Sequence, residues 1–301
     1  MNKSSAFLSQ RNQGLLYAMT DVLAMTGVYI ITKLFLNDLP FPVFGVYWFS
    51  AGLLWNLLIA VAKPETVRKF NFKRNFLLFL VLVGLLDTTA TLMWFKAIND
   101  TDNPSLVSFM TNIGPIYAAI LGYLFLKERF TISEILGVII TLAGAVLIGY
   151  REDFTWQSFL FTGAGLILIS SFISAVGKVI LKPKIKNYHP IILSINRILY
   201  LLSFSLIASI VMGYDLAIEP RLILAIVGGS LLGPFLSAFA GFNALERLKV
   251  TTWSILSTSR SFFVLIAGFL VMGILPEGYQ IIGGIMTVIG VLIITFARVR
   301  K

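Results

Sequence analysis

Apolar stretches of about 20 residues recur along the whole chain between short clusters of charge, and at about 1.5 Å per helical residue each is long enough to cross a hydrocarbon core of about 30 Å. Ten can be cut out, at 13–35, 41–62, 75–97, 103–126, 131–150, 157–181, 189–212, 221–245, 250–273 and 278–297. With 57% apolar residues, 13% charged and a mean hydropathy of +0.89, no water-soluble fold could hide this surface. The sequence therefore predicts an all-α integral membrane protein.

The charges between the segments fix a direction. With the N-terminus inside, 17 Lys and Arg fall on the cytoplasmic side, from Lys3 and Arg11 through Arg68, Lys69, Lys73 and Arg74 to Arg298, Arg300 and Lys301. The other side keeps Lys33, Lys96, Arg151 and Arg221 beside eight acids. A miscount of one helix would scramble this bias, so it supports ten crossings with both termini cytoplasmic. The net charge of +10 is then topogenic, its partner the lipid bilayer and not nucleic acid. The first segment follows Lys3 and Arg11 as a signal peptide would, but its length and Asp21 predict a retained first helix. Absence of cysteine removes disulfide, zinc-thiolate and iron–sulfur chemistry, and the lone His189 falls in a loop, where it is read as a surface group.

A polar stripe occurs twice. Ser105, Ser108, Asn112 and Pro115 return 146 residues later as Thr251, Ser254, Thr258 and Ser261, at steps that follow one helix face. The same offset joins Gly137, Thr141 and Gly144 to Gly283, Thr287 and Gly290, and an offset of 149 joins Gly14 and Lys33 to Gly163 and Lys182. Five segments thus repeat as five, with halves at 1–150 and 151–301. Because five is odd, the second half enters from the opposite side, giving inverted repeats, an arrangement that can exchange outward-closed for inward-closed states.

The run Asn112-Ile-Gly-Pro115-Ile-Tyr117 through Gly122 to Lys127-Glu128-Arg129, followed by Glu134, Gly137 and Gly144, resembles the repeat hallmark of EamA-type proteins in the drug/metabolite transporter superfamily. The resemblance covers nearly the whole chain. It implies ten helices, a central cavity lined by helices 3, 4, 8 and 9 with help from 1, 2, 6 and 7, and peripheral helices 5 and 10. The second half departs from it at Ser261, where proline is usual, and at Leu275-Pro276-Glu277. An arginine frequent in the second helix of each repeat is matched by Arg197, whereas Phe49 stands near the equivalent place in the first half.

Depth sorts the ionisable residues. Asp87 lies about 12 residues into helix 3 and Arg260 about 10 into helix 9, both near the midplane, while Asp21 and Arg197 lie about eight residues from the cytoplasmic face. Lys178 is close enough to the inner end of helix 6 to snorkel. A central charge costs roughly 2.5–3.5 kcal/mol on insertion scales, so these groups need partners or water. Two readings stay open: fixed ion pairs, Arg260 with Asp87 and Arg197 with Asp21, or pairs that open to an ionic solute. Spacing places Asp87, Thr91 and Trp94 on one face, and Trp253, Ser257 and Arg260 on another.

With Ser108, Asn112 and Thr258 from the stripe, these form the candidate substrate-binding set; Asp21, Arg197, Lys178 and Pro115 form a gating or charge-pair set. Ser171 and Ser174 share the face of Lys178. Pro115 deprives the Thr111 carbonyl of its helical partner and permits a kink. The glycines at 137, 144, 283 and 290 are given packing alone. Charge, hydroxyl and large ring together suit a small amphiphilic metabolite, zwitterionic or anionic, such as an amino acid.

An enzyme would need a nucleophile with a base, or a metal cluster, and the sequence supplies no motif for either. The reading is a secondary transporter of the bacterial inner membrane, exporting by alternating access, without cofactor or metal, as a monomer or homodimer. The alternatives are an importer of a charged metabolite or cofactor, a lipid-carrier flippase, and a non-transporting scaffold.

Overall fold

The computed structural model describes residues 3–62, 73–126, 131–148, 163–248 and 250–299, and every regular element among them is helical. In chain order these are α1 (Lys3–Asp38), α2 (Phe41–Ala62), α3 (Arg74–Asn99), α4 (Pro104–Met110), a 3-10 turn (Thr111–Ile113), α5 (Gly114–Leu126) and α6 (Ile132–Ile148). There follow α7 (Gly163–Leu181), a 3-10 turn (Ile185–Asn187), α8 (Pro190–Val211), α9 (Pro220–Ser230), a π-helical turn (Leu231–Ser237) and α10 (Ala238–Arg247). The last are α11 (Val250–Thr258), α12 (Arg260–Met272) and α13 (Gly278–Val299).

Six stretches among the described residues are long and apolar enough to cross a membrane: Asn12–Asp38, Phe41–Ala62, Arg74–Asn99, Gly163–Leu181, Pro190–Val211 and Pro220–Arg247. The other expected segments are helical over α4 with α5, α6, α11 with α12, and α13. The boundary between the two sequence halves at 150–151, the turn at 127–130 and the side chains of Pro115, Thr251 and Ser254 lie outside the described residues.

The helices are turned inside out relative to those of a soluble protein. On α2, Gly45, Trp48, Phe49, Gly52, Asn56 and Ala60 are buried at helical spacing, whereas Leu54, Leu57, Leu58 and Val61 are exposed. An outward face of leucine with asparagine turned inward needs lipid as its solvent.

Packing divides the chain into two compact units, one of Met1–Thr88 with Leu181–Leu248 and one of Thr89–Ile180 with Lys249–Lys301. Each draws helices from both halves of the sequence, and α3 contributes to both. In the first unit α1 packs on α10 and the π turn, and α2 packs on α8, α9 and the π turn. Gly52 makes room for the Pro234 ring, 2.5 Å from where a Cβ would stand. His189, expected as a surface group, is half-buried and caps α8: its Nδ1 accepts from Ile191 N at 3.3 Å, with Pro190 at the first helical position. Lys182 closes α10, its ammonium donating to the carbonyls of Leu245, Glu246 and Leu248. Carbonyls at the end of a helix lack an intrahelical partner, and a cation there also meets the negative end of the helix dipole.

In the second unit α6 packs on α13, α12 on α4 and α11 on α5. The α6–α13 contact is reciprocal: a Cβ on Gly144 would meet Gly283 O and Thr287 N, and one on Gly290 would meet Gly137 O and Thr141 N. The glycines assigned to packing from sequence are the residues that let these backbones touch.

Candidate functional site

Three of the apolar segments are interrupted, two of them within the repeated polar stripe. The first interruption is the 3-10 turn Thr111–Ile113, which prepares the chain for Pro115 in the first turn of α5. The Thr111 carbonyl, which Pro115 would leave without its usual partner, accepts instead from Gly114 N, and the Thr111 hydroxyl donates to Ser108 O at 2.7 Å. The second lies at Ser259, 146 residues beyond Ile113 and without a proline. Here Ser259 N and Oγ both donate to Leu256 O, at 3.2 and 2.7 Å, and Ser257 Oγ donates to Trp253 O at 2.9 Å. Serine back-bonding loosens this helix where proline loosens its counterpart.

The third interruption, the π turn around Pro234, was not anticipated from sequence. Its carbonyl accepts from Asn56 Nδ2 at 3.1 Å and Ser194 Oγ at 3.2 Å, and Trp55 Nε1 donates to Ser230 Oγ at 3.0 Å. Pro234 inside an apolar segment and Asn56 in the middle of another were the available signals. π turns inside α-helices often mark functional positions.

In the first unit the Asp21 carboxylate, 3% exposed, accepts from Ser237 Oγ at 2.7 Å, at the end of the π turn. Arg197 Nε stands 3.8 Å from Asp87 Oδ2, and Asn196 on the same helix donates to Leu80 O at 2.9 Å, fastening α8 to α3 beside the pair. Of the charge pairings expected from sequence, the one drawn for Asp87 differs, since its observed partner is Arg197. Both side chains keep roughly 30% exposure.

The second unit holds the remaining candidates. Ser108 and Asn112 are fully buried in a chain of hydrogen bonds that links three helical segments. Ser261 Oγ donates to Ser108 O at 2.9 Å and lies 3.2 Å from Asn112 Oδ1, Asn112 Nδ2 donates to Thr287 Oγ1 at 3.0 Å, and Thr287 Oγ1 donates to Gly284 O at 2.7 Å. Such bonds between membrane helices hold them together. Thr91 and Thr258 are buried, Trp94 is half-buried with its ring edge-on to Phe95, and Ser257 and Arg260 are half-buried. Lys178, at the end of α7, places Nζ 4.3 Å from the centroid of Trp253 on α11.

Contacts inside the two units echo one another. Asp21 and Ser237 meet in the first unit; the offset of 149 takes Asp21 to Ser170, the offset of 147 that joins Phe95 and Ala97 to Phe242 and Ala244 takes Ser237 back to Ala90, and Ser170 Oγ donates to Ala90 O at 2.7 Å in the second. Gly14 faces Leu248, and the corresponding Gly163 faces Thr101. The pattern is kept while the carboxylate is present in only one copy.

Comparison with known proteins gives the family. The EamA-like transporter family model matches residues 12–150 and 161–296. An uncharacterized transporter of Methanothermobacter thermautotrophicus is 29% identical over 37% of this chain and 33% of its own length. One of Archaeoglobus fulgidus is 30% identical over 30% and 31%. WAT1-related protein At3g28050 of Arabidopsis thaliana is 26% identical over 38% and 32%. The matched stretches thus span about a third of each curated relative. A solved structure, titled only as the crystal structure of a protein, superposes with a TM-score of 0.71 over 96% of this chain and 98% of its own, at 17% identity, a likeness of fold. With a family model spanning nearly all of both sequence halves, the chain belongs to the EamA-like transporter family.

Proposed function

We propose that this protein is a secondary transporter that moves a small zwitterionic or anionic metabolite, amino-acid-like in chemistry, across the bacterial inner membrane by alternating access. In this reading ten membrane-spanning segments form two inverted repeats, 1–150 and 151–301, with both termini cytoplasmic, export is the working direction, and the protein acts as a monomer or homodimer without a cofactor. The single observation that carries it is the echo of internal contacts, Asp21 with Ser237 against Ser170 with Ala90, and Gly144 against Gly290. Two copies of one packing plan supply two near-equivalent closed arrangements, which is the mechanical requirement for alternating access. The partly exposed Asp87–Arg197 pair supports an ionic solute, since intramembrane charges that stay accessible are costly unless used.

The test is flux of labelled amino acids and related metabolites into liposomes containing the purified chain. Transport above protein-free liposomes, abolished by Arg260→Gln without loss of folded yield, is the expected result. Equal loss of fold and flux, or no flux with any solute, contradicts the proposal. Because the chain has no cysteine, single cysteines placed at Lys3 and Lys301 read the sidedness of the termini directly.

A further inference from the structure

Two segments that meet at one end of the first unit carry charge of a single sign. Residues 73–79 and 182–188 hold five basic side chains, Lys73, Arg74, Lys182, Lys184 and Lys186, and no acid. Aromatic stacking brings the segments together. The Tyr188 ring lies 4.4 Å from that of Phe76 and 5.4 Å from that of Phe79, and Lys184 Nζ stands 4.5 Å from the Phe79 centroid. The link between α7 and α8 is built to hold this position. Ile185 and Tyr188 are buried, and the N–H groups of Lys184, Asn187 and Tyr188 donate to the carbonyls of Leu181, Lys184 and Ile185. Lys184 and Lys186 are exposed on that turn.

Topogenesis accounts for the side on which these cations lie, but it asks only for their number. It does not ask that they be fixed at the beginnings of helices. Lys73 and Arg74 stand at the N-terminus of α3, and Lys184 and Lys186 just ahead of that of α8, where the helix dipole is positive and favours anions. Crowding is felt within the cluster: after burial, the Lys186 charge holds the Lys182 ammonium below its ordinary value. Glu246 on α10 pulls the other way, and its carboxylate also lies 3.1 Å from Arg247. Like charge gathered on a fixed support is relieved by an anion.

The surroundings say which anion. Leu78 and Leu82, 55% and 44% exposed, lie one turn from Arg74 and from Phe79 on the outer side of a span that begins at Arg74. A free phosphate leaves that apolar strip unused, whereas a phospholipid has a part for each. We propose that the start of α3 and the α7–α8 turn form a headgroup site for an anionic phospholipid, Arg74, Lys184 and Lys186 serving the phosphate while an acyl chain runs along Leu78 and Leu82. The site stands apart from the solute and from the transport reading.

Because the chain has no cysteine, Asn187→Cys, exposed beside the site, carries a single environment-sensitive fluorophore on the purified full chain in non-ionic micelles. Dioleoylphosphatidylglycerol, dioleoylphosphatidylcholine and soluble glycerol 3-phosphate are titrated separately. Phosphatidylglycerol is expected to give a saturating emission change at a mole fraction at least about tenfold below that needed of phosphatidylcholine, and glycerol 3-phosphate to give none. Lys184→Gln with Lys186→Gln should raise half-saturation at least about tenfold, two cations beside an anionic surface being worth more than that factor together. Lys184→Arg with Lys186→Arg should keep the wild-type value. Lys96→Gln with Arg221→Gln, which removes the same charge elsewhere, should keep it too. Equal response to the two lipids, a response that never saturates, or glycerol 3-phosphate acting as well as phosphatidylglycerol would each overturn the site. So would an unchanged half-saturation in the first glutamine pair, or equal losses in both. The comparison of lipids keeps every cation in place and so does not depend on either pair folding.

Discussion

Replacing Gly144 and Gly290 by alanine, singly and together, tests how α6 and α13 are joined. A Cβ at Gly144 lands 2.5 Å from Gly283 O and 2.9 Å from Thr287 N, and one at Gly290 lands 2.5 Å from Gly137 O and 2.7 Å from Thr141 N. Ordinary contact begins at 3.4 Å, so each methyl asks for about 0.9 Å more room from backbone atoms that no change of rotamer can move. Overpacking of this kind costs about 1–3 kcal/mol.

The two sites lie either side of one reciprocal crossing, so a single separation of the helices by about 1 Å makes room for both methyls. The double variant should therefore cost about as much as the worse single one, a favourable coupling of about 1–3 kcal/mol in a double-mutant cycle. Reversible unfolding of the purified chain in mixed micelles, followed by circular dichroism, measures all four corners of the cycle. Additive losses would mean that the helices tilt independently at each site, and single losses below about 0.5 kcal/mol would mean that the backbones do not touch there. Either result refutes the reciprocal contact.

Three further outcomes follow from other contacts. Asn112→Ala removes bonds to Thr287 and Ser261 and should lower unfolding stability by about 0.6–1.7 kcal/mol, the range for polar bonds between membrane helices, while leaving the KM for solute unchanged; a raised KM with unchanged stability would return Asn112 to the solute site. Lys182→Met loses the cap on α10 and should cost about 1–2 kcal/mol at pH 7 in the same unfolding assay. Burial first, then the Lys186 charge, holds the Lys182 ammonium below the ordinary value of 10.5 against the opposing pull of Glu246. The folded chain therefore sheds this proton before the unfolded chain, and stability measured against Lys182→Met should rise as pH climbs through the depressed value and level off above 10.5. Asp87→Asn breaks a pair that is about 30% exposed, so it should change unfolding stability by less than about 1 kcal/mol while lowering liposome flux at least about tenfold; matched losses would make the pair a fastening.

The sequence made the packing glycines legible because their role depends on identity and spacing alone, and both repeat at 146 residues. Gly144 and Gly290 do what that spacing required. Charge partners were less legible: depth along a helix fixes how far Asp87 lies from the surface but not which way it points, and the arginine that reaches it is Arg197. Lys182 shows the limit from the other side. Counted as one more topogenic cation, it proves to serve three carbonyls of a helix more than 60 residues later in the chain, a relation that only tertiary structure creates.

The stripe of Ser108, Asn112 and Ser261 teaches the most, because its spacing fixes a polar face without fixing what that face meets. A polar face within lipid must find hydrogen-bond partners, and that demand is met equally by a wet cavity or by a neighbouring helix with a polar face of its own. Spacing records the demand and is silent about which partner answers. Here Ser108 and Asn112 are answered by Ser261 and Thr287, while the buried Ser105 hydroxyl of the same stripe meets no hydrogen-bond partner. In a membrane chain, then, a periodic polar face is evidence for a partner of some kind, and Asn112→Ala, read for unfolding stability against KM, decides which kind answers here.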